Sequence, residues 1–156
     1  MDAIDRKLLT LLQEDASLSL AELATHVNLS TTPCWKRIQK LERDGYIVKR
    51  VALISPEKLG LGHTIFVVVE TDELSAENTR RFVSEVTAMT EVMDLYRMAG
   101  DGNYMLRVVV PDMEAYDVLH ARLTEGFALK NVTSHFAMQR IKSTTAYPVA
   151  PGPSSR

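Results

Sequence analysis

The chain has 156 residues, 46% of them hydrophobic and 24% charged, with a formal net charge of −2. This length fits one medium domain or two small ones, and the balance is that of a globular protein. No apolar run approaches the ~18 residues of a membrane-spanning helix, the opening MDAIDRKLLTLLQED lacks the basic and apolar stretches of a signal peptide, and the lone Cys34 can form no internal disulfide, so the chain reads as cytoplasmic and without a membrane partner.

In chain order, Ile4, Leu8, Leu11 and Leu12 mark one face of an amphipathic helix over 2–14. Ser19 and Glu22 form a capping-box pattern that opens a second helix, with Leu20, Leu23, Ala24 and Val27 as its buried face. Asn28, which tolerates a left-handed backbone, ends it. Ser30 or Thr31 caps a third helix, Pro33 sits in its first turn, and Gly45 stops it. Three short helices with a brief turn between the last two have the spacing of a helix-turn-helix. Tyr46–Ile54 then reads as short strands, the wing of a winged helix, and Ser55-Pro56 opens a linker.

The second half has a different rhythm. Strands are expected at 64–71, 92–99, 104–110 and 132–141, and helices at 75–87 and 111–123. Gly100-Asp101-Gly102-Asn103 is a hairpin-turn signal between the middle strands. The order βαββαβ is that of a ferredoxin-like α+β unit. The expected organisation is therefore a winged helix-turn-helix over 1–54, a linker over 55–63, a βαββαβ domain over 64–147, and a disordered Pro- and Ser-rich tail over 148–156.

Charge is unevenly spread. Residues 31–50 carry six basic side chains (Lys36, Arg37, Lys40, Arg43, Lys49, Arg50) against Glu42 and Asp44, a local net of +4 on an acidic chain. That is the footprint of an element facing phosphate, although a solvated helix face also accounts for it. On a helical wheel, Cys34, Ile38 and Leu41 share one side of the third helix; Thr32, Lys36, Gln39, Lys40 and Arg43 share the other. The first set packs, and the second has donors that reach phosphates and base edges. Near the helix start, Thr31, Thr32, Trp35, Lys36 and Gln39 are the candidate base readers of double-stranded DNA. Lys40, Arg43, Lys49 and Arg50 are candidate phosphate contacts. Trp35 could equally be half-buried packing, and Cys34 is a small buried hydrophobe.

No catalytic pattern is present. His26, His63, His120 and His135 lack metal-ligand spacing, and there is no nucleophile elbow, phosphate loop or Cys-x-x-Cys. The expectation is neither an enzyme nor a metal protein, with no cofactor. A winged helix can also bind RNA or protein, leaving an interaction module without a ligand as the alternative class.

Ile4-Asp5-Arg6, the stretch from Leu29 to Cys34, the stretch from Arg37 to Ile47, and Gly100-Asp101 with Tyr104 together resemble the Lrp/AsnC family, the feast/famine regulators. The likeness runs from Asp2 to about Tyr147. It implies a DNA-binding winged helix joined to a sensing module that forms dimers, often assembled as octamers of four dimers, with an amino acid as effector. The implied effector site lies near the Gly100–Tyr104 turn and the last strand. Within the family, the Thr31–Lys40 and Phe136–Thr145 stretches are most similar to the cysteine-responsive subgroup, which implies L-cysteine; leucine or another branched-chain residue is the alternative. Two features depart from the family pattern near this site: Asn103 stands where an acidic residue is frequent, and Phe127-Ala128-Leu129 replaces a Pro-Gly loop with one residue fewer.

An amino acid presents an ammonium and a carboxylate, so its site needs an acidic acceptor and donors in a dry setting. Asp101 can accept from the ammonium, and the backbones of Gly100 and Gly102 can approach closely. Asn103 and Tyr104 complete the turn, and Thr133 and Ser134 offer hydroxyls. Asp101-Gly102 also reads simply as a good hairpin turn.

Overall fold

The computed structural model describes residues 1–71, 75–99 and 104–149. Two compact units emerge: residues 1–53 together with the segment that follows Arg140, and Ile54–Arg140.

The first unit holds α1 (Ala3–Glu14), α2 (Leu20–His26) and α3 (Thr31–Arg43). Each start has a local cause. Asp2 and Asp5 cap α1 reciprocally, each backbone N–H donating to the other's carboxylate at 3.0 and 2.9 Å. Ser19 and Glu22 do the same for α2, as expected. Ser30 is the α3 N-cap but makes no side-chain cap bond. Asn28 has φ +54°, and Gly45 has φ +78°, the left-handed conformations that stop α2 and α3. Leu8, Leu23, Ala24, Val27, Cys34, Ile38 and Leu41 form the core of this unit.

The expected wing strands are corrected. Tyr46–Ile54 belongs to no strand. The N–H groups of Tyr46 and Ile47 both donate to the Leu41 carbonyl, at 2.9 and 3.2 Å, closing the α3 C-terminus. A strand also needs a hydrogen-bonded neighbour, and among the described residues none pairs with this segment.

The second unit opens with a 3-10 turn (Glu57–Leu59), then β1 (His63–Thr71), α4 (Ala76–Thr87), β2 (Val92–Arg97), β3 (Tyr104–Val110), α5 (Met113–Gly126) and β4 (Leu129–Phe136). The sheet order is β2-β3-β1-β4, every neighbour antiparallel, which is the ferredoxin-like arrangement. Period-two alternation divides β1. Ile65, Val67 and Val69 are fully buried with Leu106, Val108, Phe82, Val86, Leu119 and Leu123 beneath α4 and α5. Thr64, Phe66 and Val68 point to the other face.

The last strand starts and ends earlier than the expected 132–141. Leu129 pairs with Thr71 and Phe136 with Ile65, so β4 is bounded by the length of β1. Beyond the Ala137 N–H bond to Thr64, the chain has no strand to follow. The stretch after Arg140 groups with the first unit rather than with the sheet. No helix is long and apolar enough to cross a membrane.

Candidate nucleic-acid interface and ligand site

The third helix divides as its wheel requires. Cys34, Ile38 and Leu41 are buried. Thr31, Thr32, Trp35, Lys36, Gln39, Lys40 and Arg43 are exposed, as are Lys49 and Arg50 after the helix. Trp35 is 51% exposed, half accessible and half packed. Burial pushes the Cys34 thiol up and keeps it protonated.

What holds α3 in place includes a contact between elements that sequence patterning missed. One guanidinium nitrogen of Arg37 donates to Asp2 at 2.6 Å and to Asp5 at 2.7 Å. The Asp5 side chain is 8% exposed. The backbone N–H of Asp5, then Arg37, hold the Asp2 carboxyl below the usual carboxylate range. The recognition helix is thus tied to the first turn of α1 by charge as well as packing. Neither the Asp2–Asp5 cap nor its arginine partner was among the expected contacts.

A second polar group joins α3 to the segment after it. Gln39 Nε2 donates to one oxygen of Glu42 at 2.8 Å. Arg50 Nη2 donates to the other at 3.0 Å. Glu42, too, was not among the expected contacts, although its i+3 spacing from Gln39 was legible.

The expected effector residues are placed as follows. Gly100, Asp101, Gly102 and Asn103 lie outside the described residues; the strands they join do pair, Arg97 opposite Tyr104. Tyr104 is 5% exposed and its ring lies 4.8 Å from that of Phe82, under the helices. Thr133 is exposed on the opposite, open face, where its Oγ1 accepts from Asn131 Nδ2 at 3.2 Å. Ser134 faces the helices and its hydroxyl is hydrogen-bonded to Tyr116. Adjacent strand residues point to opposite faces, so Thr133 and Ser134 cannot line one surface with their side chains. The open face carries Phe66, Val68, Met105 and Tyr96, with an Asp94–Arg107 ion pair among them. Among the described residues, no His, Cys, Asp and Glu group could hold a metal.

Two family models match the chain. A model of winged helix-turn-helix DNA-binding domains matches residues 1–48, and one of the Lrp/AsnC ligand binding domain matches 64–147. The chain is 53% identical to a DNA-binding transcriptional activator, DecR, of Escherichia coli, over 96% of this chain and 99% of that one. It is 40% identical to a glutamate uptake regulatory protein of Zymomonas mobilis, covering 96% and 91%. Among solved structures it resembles an AsnC family transcriptional regulator from Agrobacterium tumefaciens, with a TM-score of 0.92, 50% identity and coverage of 96% and 97%. It also resembles a transcriptional regulator of Neisseria meningitidis solved as an L-Met complex, with a TM-score of 0.89, 32% identity and coverage of 96% and 97%.

Proposed function

Because the chain belongs to the Lrp/AsnC family of DNA-binding, amino-acid-responsive transcriptional regulators, we propose specific roles for its two units. Thr31, Thr32, Trp35, Lys36 and Gln39 read base edges in the major groove. Lys40, Arg43, Lys49 and Arg50 contact phosphates. The observation that carries this is the exposure of all nine side chains while the opposite side of α3 is locked into the core. Phosphate contacts position the helix and base contacts select the site. The family is one of regulators rather than enzymes, and the protein acts where the DNA is, in the cytoplasm.

The second unit forms a dimer and receives the effector. The open sheet face, with Phe66 and Tyr96 exposed and Val68 partly so, suits a second copy of the same chain, and four dimers assemble as an octamer. The effector is L-cysteine, a reading supported by the likeness of Thr31–Lys40 and Phe136–Thr145 to the cysteine-responsive subgroup. Its ammonium is held by Asp101, with Gly100, Gly102, Asn103 and Tyr104 around it and Thr133 or Ser134 nearby. A second reading keeps the site and changes the ligand, since the meningococcal relative was solved with L-Met.

The test is a gel shift on the DNA upstream of the protein's own gene and the neighbouring intergenic regions, with and without L-cysteine and then other amino acids. Retardation that survives excess random DNA and changes with cysteine supports both roles. A change with another amino acid only replaces the effector; absence of specific retardation on any of these fragments removes them as targets and favours the interaction-module alternative. Asp101→Ala should abolish the response while leaving DNA binding intact, and an unchanged response would remove Asp101 from the site.

A further inference from the structure

Glu42 is a carboxylate set between two groups assigned to DNA. One oxygen accepts from the Gln39 amide at 2.8 Å; the other accepts from the Arg50 guanidinium at 3.0 Å. The three residues span α3 and the segment after it, inside the first unit. A glutamine reads adenine by donating from Nε2 to N7 and accepting at Oε1 from the N6 amino group. With one Nε2–H committed to Glu42, the other N–H and the Oε1 of Gln39 remain, which is the pair adenine requires. Arg50, meanwhile, is partly neutralised before any phosphate arrives.

We propose that Glu42 is a specificity-determining positioning residue: it orients Gln39 toward the adenine edge of an A·T pair and weakens the contact of Arg50 with its phosphate by sharing the guanidinium. This rests on the assignment of Gln39 and Arg50 as DNA contacts. Glu42 itself touches no base. Its negative charge penalises every duplex alike, and the oriented amide rewards only a matching one. Together these widen the gap between specific and non-specific binding, the quantity that matters against a genome of competing sites.

The experiment uses the full-length chain and a duplex selected from a random-sequence pool by the unmodified protein. Each base pair of the selected duplex is then varied, and affinity is measured across a salt series for the wild type, Glu42→Ala, Glu42→Gln and Gln39→Ala. Both Glu42 variants should bind a scrambled duplex several-fold more tightly and steepen the slope of log affinity against log salt by up to about one unit, because the charge of Arg50 is then no longer offset by the carboxylate at its phosphate. Glu42→Ala should also flatten the preference at one A·T pair per half-site roughly tenfold. Glu42→Gln keeps an acceptor for the Gln39 amide and should retain that preference; a merely structural role would not separate the two variants. Should Gln39→Ala flatten one position while Glu42→Ala flattens none, this proposal is overturned and Gln39 stays a base reader. Should Gln39→Ala flatten no position, both fall. An unchanged salt slope in both Glu42 variants overturns the restraint on Arg50.

Discussion

Gln13 of α1 and Tyr147, 134 residues apart, are joined through a side-chain amide and a backbone peptide. The Tyr147 N–H donates to Gln13 Oε1 at 2.7 Å, and Gln13 Nε2 donates back to the Tyr147 carbonyl at 3.2 Å. The amide of Gln13 thereby does for this segment what a neighbouring strand would do. It holds the segment beside a groove of about 550 Å³ whose lining includes Leu9, Leu12, Tyr46, Val48 and Val51.

Gln13→Ala should therefore release residues 145–149 with little effect on the helical core. Two exposed neutral hydrogen bonds contribute about 1 kcal/mol in all. Amide exchange at Tyr147 should accelerate roughly fivefold, that energy expressed as a rate ratio. Adding Tyr147→Pro, which removes the donor, should change stability by much less than the sum of the single effects. Additive effects would show that the two residues are not coupled.

Arg37→Ala should destabilise the first unit more than Lys36→Ala or Lys40→Ala. It strands the Asp5 carboxylate, which is nearly inaccessible to water. The expected loss is about 1–3 kcal/mol, discounted for the part-exposed arginine. Urea denaturation of the three variants decides it, and equal midpoints would mean that packing alone holds α3.

The Asp2 carboxyl is depressed in the folded state, first by the Asp5 N–H and then by Arg37. A depressed folded pKa contributes stability above the unfolded value, near 3.8, and that contribution is lost as pH falls through the folded value. Wild-type urea midpoints should decline below about pH 4. Asp2→Asn should lessen that decline, and by more than Arg37→Ala does, because the larger cause is the backbone hydrogen bond.

Cys34 has no exposed surface and sits among Leu8, Leu23 and Ile38. Cys34→Ala should cost about 1 kcal/mol and Cys34→Ser about 1–3 kcal/mol, the hydroxyl being buried without a partner. Thiol labelling of the native protein should be slow and should track unfolding in urea. Fast labelling below the unfolding transition would contradict the buried placement.

On β4, Ser134→Ala should be the destabilising change and Thr133→Ala nearly neutral. Ser134 carries the partner of the buried Tyr116 hydroxyl, and its loss costs about 1 kcal/mol or more. Thermal denaturation compares the two. Effector titration of the same variants shows whether either hydroxyl also serves the ligand.

Much of this protein is decided by neighbours close in the chain. Reciprocal caps at Ser19 and Glu22, the left-handed stops at Asn28 and Gly45, and the i, i+4, i+7 burial of Cys34, Ile38 and Leu41 are all short-range consequences of residue type, so the helices and the exposed face of α3 were legible in the sequence. The β-branched and aromatic run of β1 announced a strand, but Ile65 to Val69 are apolar throughout, so which side is buried was decided by α4 and α5. The tertiary structure decided whatever depends on a partner distant in the chain. Tyr46–Ile54 has strand-like residues but no strand opposite it. β4 takes its limits from β1, and Tyr104 turns inward because Phe82 receives its ring. Arg37 finds Asp2 and Asp5 more than thirty residues away, and residues 141–149 return to α1 instead of continuing the sheet. A side chain's own pattern states what it can bury or donate; which group receives it depends on packing between segments that no local pattern contains.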